Sequence, residues 1–351
     1  MKTKLLALAA AAILLSNIAA LAKPDDRNKK VVKKAQVSRL TPMLPASDAV
    51  ALFDAKKFFD DALPRIFASN QPVLAEIRAK VAEMQTKTGV DLTKFQQVAV
   101  GIEFKTLADG KIDYDPVVLA SGDVDLGGMT AVTKLAAAGT YREEKIADHT
   151  VYVFSSKDLM QQAAANAKSS QVAGWINSAI DSVTKDVAVT QIDHNTLALG
   201  SLDRVRDMLN SGPRVGTDLT SLISTRETTV ASFAMKPIGG MSKLVPLDDD
   251  DLGKNLDGIR YLWGGVDFTA VGGTLSLNAK TEKAEQAAGL KTTLDGLRIL
   301  GKAVFSTSKR ADQQMYSRLI DNAKVTQRLN SISLSLTVPQ ADLDKLVGLI
   351  K

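Results

Sequence analysis

The chain has 351 residues, of which 45% are hydrophobic and 24% charged, an ordinary globular make-up long enough for one large or two modest cores. It contains no cysteine, which excludes disulfides, a thiolate zinc site, a cysteine nucleophile and a lipid-bearing cysteine. Of the net charge of +5, residues 1–22 hold +2 and residues 23–40 hold +5, so residues 41–351 sum to −2; the pI of about 9.1 therefore gives no reason to expect nucleic acid as a partner.

Lys2 and Lys4 precede an apolar run at 5–15, and Ala20-Leu21-Ala22 puts small residues where a signal peptidase reads them. Residues 1–22 are expected to be a signal peptide cleaved after Ala22, and the mature chain periplasmic or secreted. The run falls short of the roughly 20 apolar residues a crossing helix needs, and no later segment approaches that length, so no transmembrane helix is expected in the mature chain. Residues 23–42 read as a basic flexible tail. Its plain role is a solvated tether; its alternative is weak contact with an anionic surface through residues 23–40, each cation contributing about 1 kcal/mol.

Residues 43–224 form the first expected α+β half. A strand at 49–53 leads to a helix that Asn70 caps, that Pro72 opens and that carries Leu74, Ile77, Val81 and Met84 as one stripe up to Gly89. Such a stripe requires a sheet to face. Val98, Val100, Ile102 and Phe104 alternate with smaller or polar residues and predict a strand, paired through a turn at 108–110 with a strand at 116–124. A helix is expected at 125–138. Further hairpins are predicted around Asp148-His149 and around Asp193-His194-Asn195, separated by a helix sharing Val172, Ile176, Ile180 and Val183, and closed by a short helix at 202–209.

Residues 225–351 form the second half. Strands are predicted at 229–235, 259–269 and 274–280, and a long helix is marked by Ala287, Leu290, Leu294 and Leu297. The order of hairpin then helix at 97–138 is echoed at 260–304, which reads as a degenerate duplication. Ile332, Leu334, Leu336 and Val338 alternate with Ser331, Ser333, Ser335 and Thr337, so the last strand should have one buried and one wet face. A helix at 341–350 ends the chain. The expected fold is α+β: antiparallel sheets covered on one face by helices, in two unequal related halves.

The segments Leu44-Pro45-Ala46-Ser47-Asp48-Ala49, Thr88-Gly89-Val90-Asp91-Leu92, Gly122-Asp123-Val124-Asp125 and Leu197-Ala198-Leu199-Gly200, with Tyr141 and Tyr152 around a hairpin, resemble a loose group of secreted bacterial proteins of unknown function. The resemblance covers most of the mature chain. It implies an α+β envelope protein and transfers no catalytic residue.

Few residues offer chemistry. His149 and His194 each follow an aspartate in a predicted turn; two converging turns would hold a metal or move protons, while turn conformation is the plainer reason for Asp-His. Asp248, Asp250 and Asp251 lie in a run of four aspartates that offers hard oxygen ligands, yet the alternate spacing and closing glutamate of a calcium loop are missing and an acidic solvated loop is the plainer reading. Ser182-Val183-Thr184-Lys185, Ser306-Thr307-Ser308-Lys309 and Lys87-Thr88-Gly89 match fragments of serine penicillin-binding enzymes, but in the wrong order and without Ser-Asp-Asn. Phosphate-cradling, dinucleotide, nucleophile-elbow and zinc-protease motifs are absent. No cofactor is expected.

The function expected from these features is that of a non-enzymatic exported envelope protein binding an envelope partner or an apolar ligand. A carboxylate- or metal-dependent periplasmic hydrolase and attachment to the envelope surface through the basic tail are the alternatives.

Overall fold

A computed structural model of the chain describes residues 38–88, 91–108, 112–123, 141–155, 186–238, 251–306 and 311–348. The expected leader, most of the tail, and the helices at 125–138 and around 172–183 lie outside these residues. At the tail's end Leu40 and Thr41 are buried in a 3₁₀ turn spanning Thr41–Met43. Contacts divide the described chain into two compact units, one holding Ser38–Lys57 and Ala75–Thr217, the other Phe58–Leu74 and Asp218–Lys351.

Twelve strands lie in the described residues, and within each of the two units their pairings are antiparallel. The first unit contains β1 (Ala49–Asp54), β2 (Phe95–Thr106), β3 (Ile112–Gly122), β4 (Tyr141–Ile146), β5 (His149–Phe154), β6 (Val187–Asp193) and β7 (Thr196–Ser201), in spatial order β1-β2-β3-β7-β6-β5-β4. Its helices include α1 (Gln71–Thr88), whose residues 71–74 belong to the other unit, and α2 (Leu202–Leu209). The second unit contains β8 (Thr229–Met235), β9 (Ile259–Thr269), β10 (Gly272–Thr281), β11 (Lys324–Arg328) and β12 (Ser331–Pro339), in order β11-β12-β10-β9-β8. Its longer helices are α3 (Asp251–Asp257), α4 (Ala284–Ser306), α5 (Ala311–Asn322) and α6 (Gln340–Gly348).

Hairpins nearly adjacent in sequence dominate this order, as expected where short turns join strongly alternating runs. Val117 and Leu119 of β3, Ala99 of β2, Ala198 of β7 and Val151 of β5 share one face and are fully buried. α2 packs against β3, β6 and β7 with Val205 and Met208, and Ser201 caps it by accepting from the Arg204 N–H at 3.3 Å. The Leu-Pro-x-x-Asp-Ala segment is stitched into this unit: Asp48 Oδ2 accepts from Phe104 N at 2.9 Å, and Ser47 Oγ accepts from Arg204 Nη2 at 2.8 Å while donating to Pro45 O.

The expected α+β fold, sheets covered on one face by helices in two unequal related halves, is not what forms; the architecture is mostly β, built of antiparallel strands. The physical reason lies in where apolar side chains go. β8 is buried at consecutive positions, Thr229 to Ser232, so neither of its faces is the wet one. In α1, among the described side chains of the predicted stripe, Leu74 is buried while Ile77 and Val81 are half-buried, so these positions do not seal a sheet. β12 does not divide into a dry and a wet side either: Ile332 and Val338 are buried but Leu334 and Leu336 only half so, while Ser333 and Thr337 on the other side hydrogen-bond to Asn278 and Thr274. Hairpins β2–β3 and β9–β10 both form, and the predicted helix after the first lies outside the described residues.

The outermost strand of each unit is polar. β4 exposes Arg142, Glu143 and Lys145, and β11 exposes Lys324, Thr326, Gln327 and Arg328.

Candidate functional site

In the second unit, residues paired across neighbouring strands share a face, and the pairing builds rows of apolar side chains. One row runs Leu336, Leu275, Val266, Ala231; the next runs Leu334, Leu277, Gly264, Phe233. At one end of this face Val338 packs with Met315, Leu319 and Leu343, and Phe268 leans on that cluster. At the other end Ile332 and Ala279 pack with Ile259 and Leu290. Between these sealed ends Leu275, Leu277, Leu334, Leu336 and Phe233 are only half-buried. Gly264 sits in the middle of the face, where a Cβ would lie 2.2 Å from Ser276 O and 3.1 Å from the Phe233 ring, so only glycine lets the neighbouring strand and that ring come this close. Chemically this is an aliphatic floor with one aromatic wall.

The opposite face of the same strands is polar and internally satisfied. Asp267 on β9, almost fully buried, accepts from Thr229 Oγ1 at 2.6 Å, Thr228 Oγ1 at 3.3 Å and the Arg226 guanidinium. Asp218 accepts from Lys236 Nζ at 2.6 Å, Tyr261 Oη at 3.0 Å and its neighbour Leu219 N. The Lys236 ammonium, then the Tyr261 hydroxyl, hold the Asp218 carboxyl below the usual carboxylate range against partial desolvation, and the same carboxylate pushes the Tyr261 hydroxyl up. In the first unit Arg204 is buried between Ser47 and Glu103, with Glu103 Oε2 at 3.8 Å; its Nε is the one buried side-chain nitrogen or oxygen without a partner among the described residues.

The candidates named from sequence fall elsewhere. His149 opens β5, opposite Ile146, and its Nδ1 lies 3.0 Å from Gln191 O. The positive φ of that turn belongs to Ala147 and not to Asp148 or His149. His194 occupies the β6–β7 turn, where Asp193 Oδ1 accepts from Asn195 N at 2.8 Å. Asp251 is the first residue of α3, and Asp248 and Asp250 lie outside the described residues. Among the described residues no group of three or more His, Asp or Glu side chains is arranged to hold a metal ion.

The half-buried apolar rows were not foreseen. Their signal was present in the alternation of β9, β10 and β12, but alternation marks a face without saying whether anything covers it. No described helix is long and apolar enough to cross a membrane.

Comparison with known proteins gives no match to any family model and none to a curated protein. Two solved structures, crystal forms I and III of TP0453, share 11% identity with the chain. Form I covers 90% of this chain and 98% of that one at a TM-score of 0.40, and form III covers 90% and 99% at 0.42. Likeness of that size assigns neither fold nor function to this chain.

Proposed function

We propose that the chain is an exported envelope protein, freed from its leader after Ala22, that binds an apolar ligand in the second unit and performs no catalysis. The observation that supports this reading is the aliphatic floor of Leu275, Leu277, Leu334 and Leu336, half-buried between two sealed clusters. A face of this kind costs free energy while wet, because each large aliphatic side chain taken fully out of water contributes about 1.5–3 kcal/mol. A hydrocarbon chain laid along the rows would remove that cost. The leader-like residues 1–22 and the resemblance to secreted bacterial proteins support the address.

The experiment is titration of the protein with a polarity-sensitive fluorescent fatty acid. Saturable enhancement is expected, weakened about tenfold or more by Leu277→Gln and by Leu334→Gln, each placing an amide in the hydrocarbon path. Native mass spectrometry of protein incubated with envelope extract identifies the natural occupant. Absence of saturable binding, or equal binding by wild type and both variants, refutes the proposal.

A further inference from the structure

The polar face of the second unit satisfies itself around Asp267 and Asp218 but not farther out, where β10, β12 and β11 lie side by side. Register puts Lys280, Ser331 and Arg328 in one row across these strands, and Asn278, Ser333 and Thr326 in the next. Ser335 and Lys324 follow in a third row. Paired residues share a face, so all of these lie on the same side as Trp263, the partner of Asn278 on β9. Helices α4, α5 and α6 pack on the other side, through Leu290, Met315 and Leu343.

Three cations therefore stand on this face with no acid in the rows between them. Lys280, Lys324 and Arg328 are exposed, and none forms an ion pair among the described residues. Nearby Arg260, Arg298, Lys302 and Arg318 do, with Glu282, Asp295, Asp321 and Asp342. Glu282, just beyond the end of β10, is thus already held by Arg260 at 2.7 Å. Protection of an outer strand accounts for charge on β11 but not for Lys280, since β10 lies between β12 and β9. Like charges on one face repel, and an anion laid over them removes that repulsion. Lys280 and Arg328 are two strand spacings apart, about 10 Å, and Lys324 lies four residues from Arg328, about 13 Å. That spacing suits charges strung along an extended molecule better than one small ion.

The groups between the cations suit hydroxyls. The side-chain oxygens of Ser331, Ser335 and Thr326 have no hydrogen-bond partner among the described residues. Ser333 Oγ donates to Asn278 Oδ1 at 2.7 Å, which leaves the Asn278 amide nitrogen with a long 3.5 Å contact to Trp263 O. Trp263, half-buried, supplies an apolar ring beside these groups.

We propose that this face binds an anionic polysaccharide, a glycan chain carrying carboxylate, phosphate or sulfate groups. The cations take its charges, the serine, threonine and asparagine side chains take its hydroxyls, and Trp263 takes the apolar face of a sugar ring. A single-stranded nucleic acid requires several stacking rings and a bilayer requires large apolar side chains among the cations; the rows supply neither.

The test is titration of the full chain with polygalacturonate, read by Trp263 fluorescence in a Trp175→Phe background. A saturable response is expected, weakening as salt is raised. Lys280→Gln, Lys324→Gln and Arg328→Gln, all at exposed positions, should each weaken it about two- to fivefold, and the triple variant about tenfold or more. The basic residues at 23–40 are the same in every variant, so they contribute nothing to these differences. Dextran, which has sugars without charge, polyglutamate, which has charge without sugars, and phosphatidylglycerol vesicles should leave the Trp263 signal unchanged. No saturable response to polygalacturonate, equal affinity in the triple variant, or the same response to any of the three controls overturns the proposal. The triple variant is expected to bind the fluorescent fatty acid as wild type does, so failure here is separate from failure of the ligand-binding reading.

Discussion

Asp267→Ala measures how much of the second unit hangs on a single carboxylate. Three donors converge on it, and they differ in what happens when it is removed. The Arg226 side chain is 56% exposed and returns to water, so its charged contact contributes about 1 kcal/mol or less once screening is counted. The Thr229 hydroxyl is buried and sits 2.6 Å away; its bond to an ionised acceptor contributes about 1.5–2 kcal/mol, softened because Ser224 Oγ at 3.1 Å remains as a second partner. Thr228, at 3.3 Å, adds about 0.5 kcal/mol. Together these give a loss of about 2–3 kcal/mol. The measurement is urea unfolding followed by Trp263 fluorescence in a Trp175→Phe background, which confines the signal to β9 itself. Thr229→Val in the same series is expected to lose about 1 kcal/mol. A change below about 0.5 kcal/mol for Asp267→Ala would show that water already satisfies the three donors and that the network does not hold the unit.

Three further outcomes are expected. Met315→Ala empties a fully buried site beside Leu319, Val338 and Leu343 and should cost about 2–5 kcal/mol in the same urea assay. Ser201→Ala removes the cap of α2 and should cost about 0.5–2 kcal/mol, with faster amide exchange confined to the first turn of that helix. Because the folded state holds Asp218 below its ordinary range, its contribution is present above the unfolded carboxylate pKa of about 3.9 and is lost as pH falls through the lower folded value. Asp218→Asn should therefore lower the urea midpoint at pH 7 and approach wild type once the wild-type Asp218 carboxyl is protonated in the folded as well as the unfolded state; a pH-independent difference refutes the assignment.

Strands were legible where β-branched and aromatic residues cluster between turn residues: β8 and β9 have their predicted limits, and α2 spans the predicted 202–209. Elements escaped where the signal is local chemistry without periodicity. β11, Lys-Val-Thr-Gln-Arg, carries one apolar residue because it is an outer strand, and α5 hides a two-residue core contact, Met315 and Leu319, in a polar run. Alternation in β12 correctly separated leucines from serines but overstated their difference in burial. The stripe of α4 was read one turn too far. Leu297 continues the spacing of Leu290 and Leu294, but the helix instead turns Gly301 and Phe305 inward, where Ile320 and Tyr316 meet them. A glycine reads in sequence as a weak point in a helix, so its use as a contact surface was invisible. The apolar rows share this difficulty: residue type reports preference for oil over water, and only three-dimensional neighbours decide whether oil is supplied.

The charged outer strands β4 and β11 have a consequence for life in a crowded compartment. An unpaired strand border is the natural place for chains to add sideways without limit, and lysine, arginine and glutamate there make each addition electrostatically and sterically poor. With its flanks blunted in this way, the polypeptide can carry exposed apolar residues elsewhere without offering them a strand border along which fibres would grow.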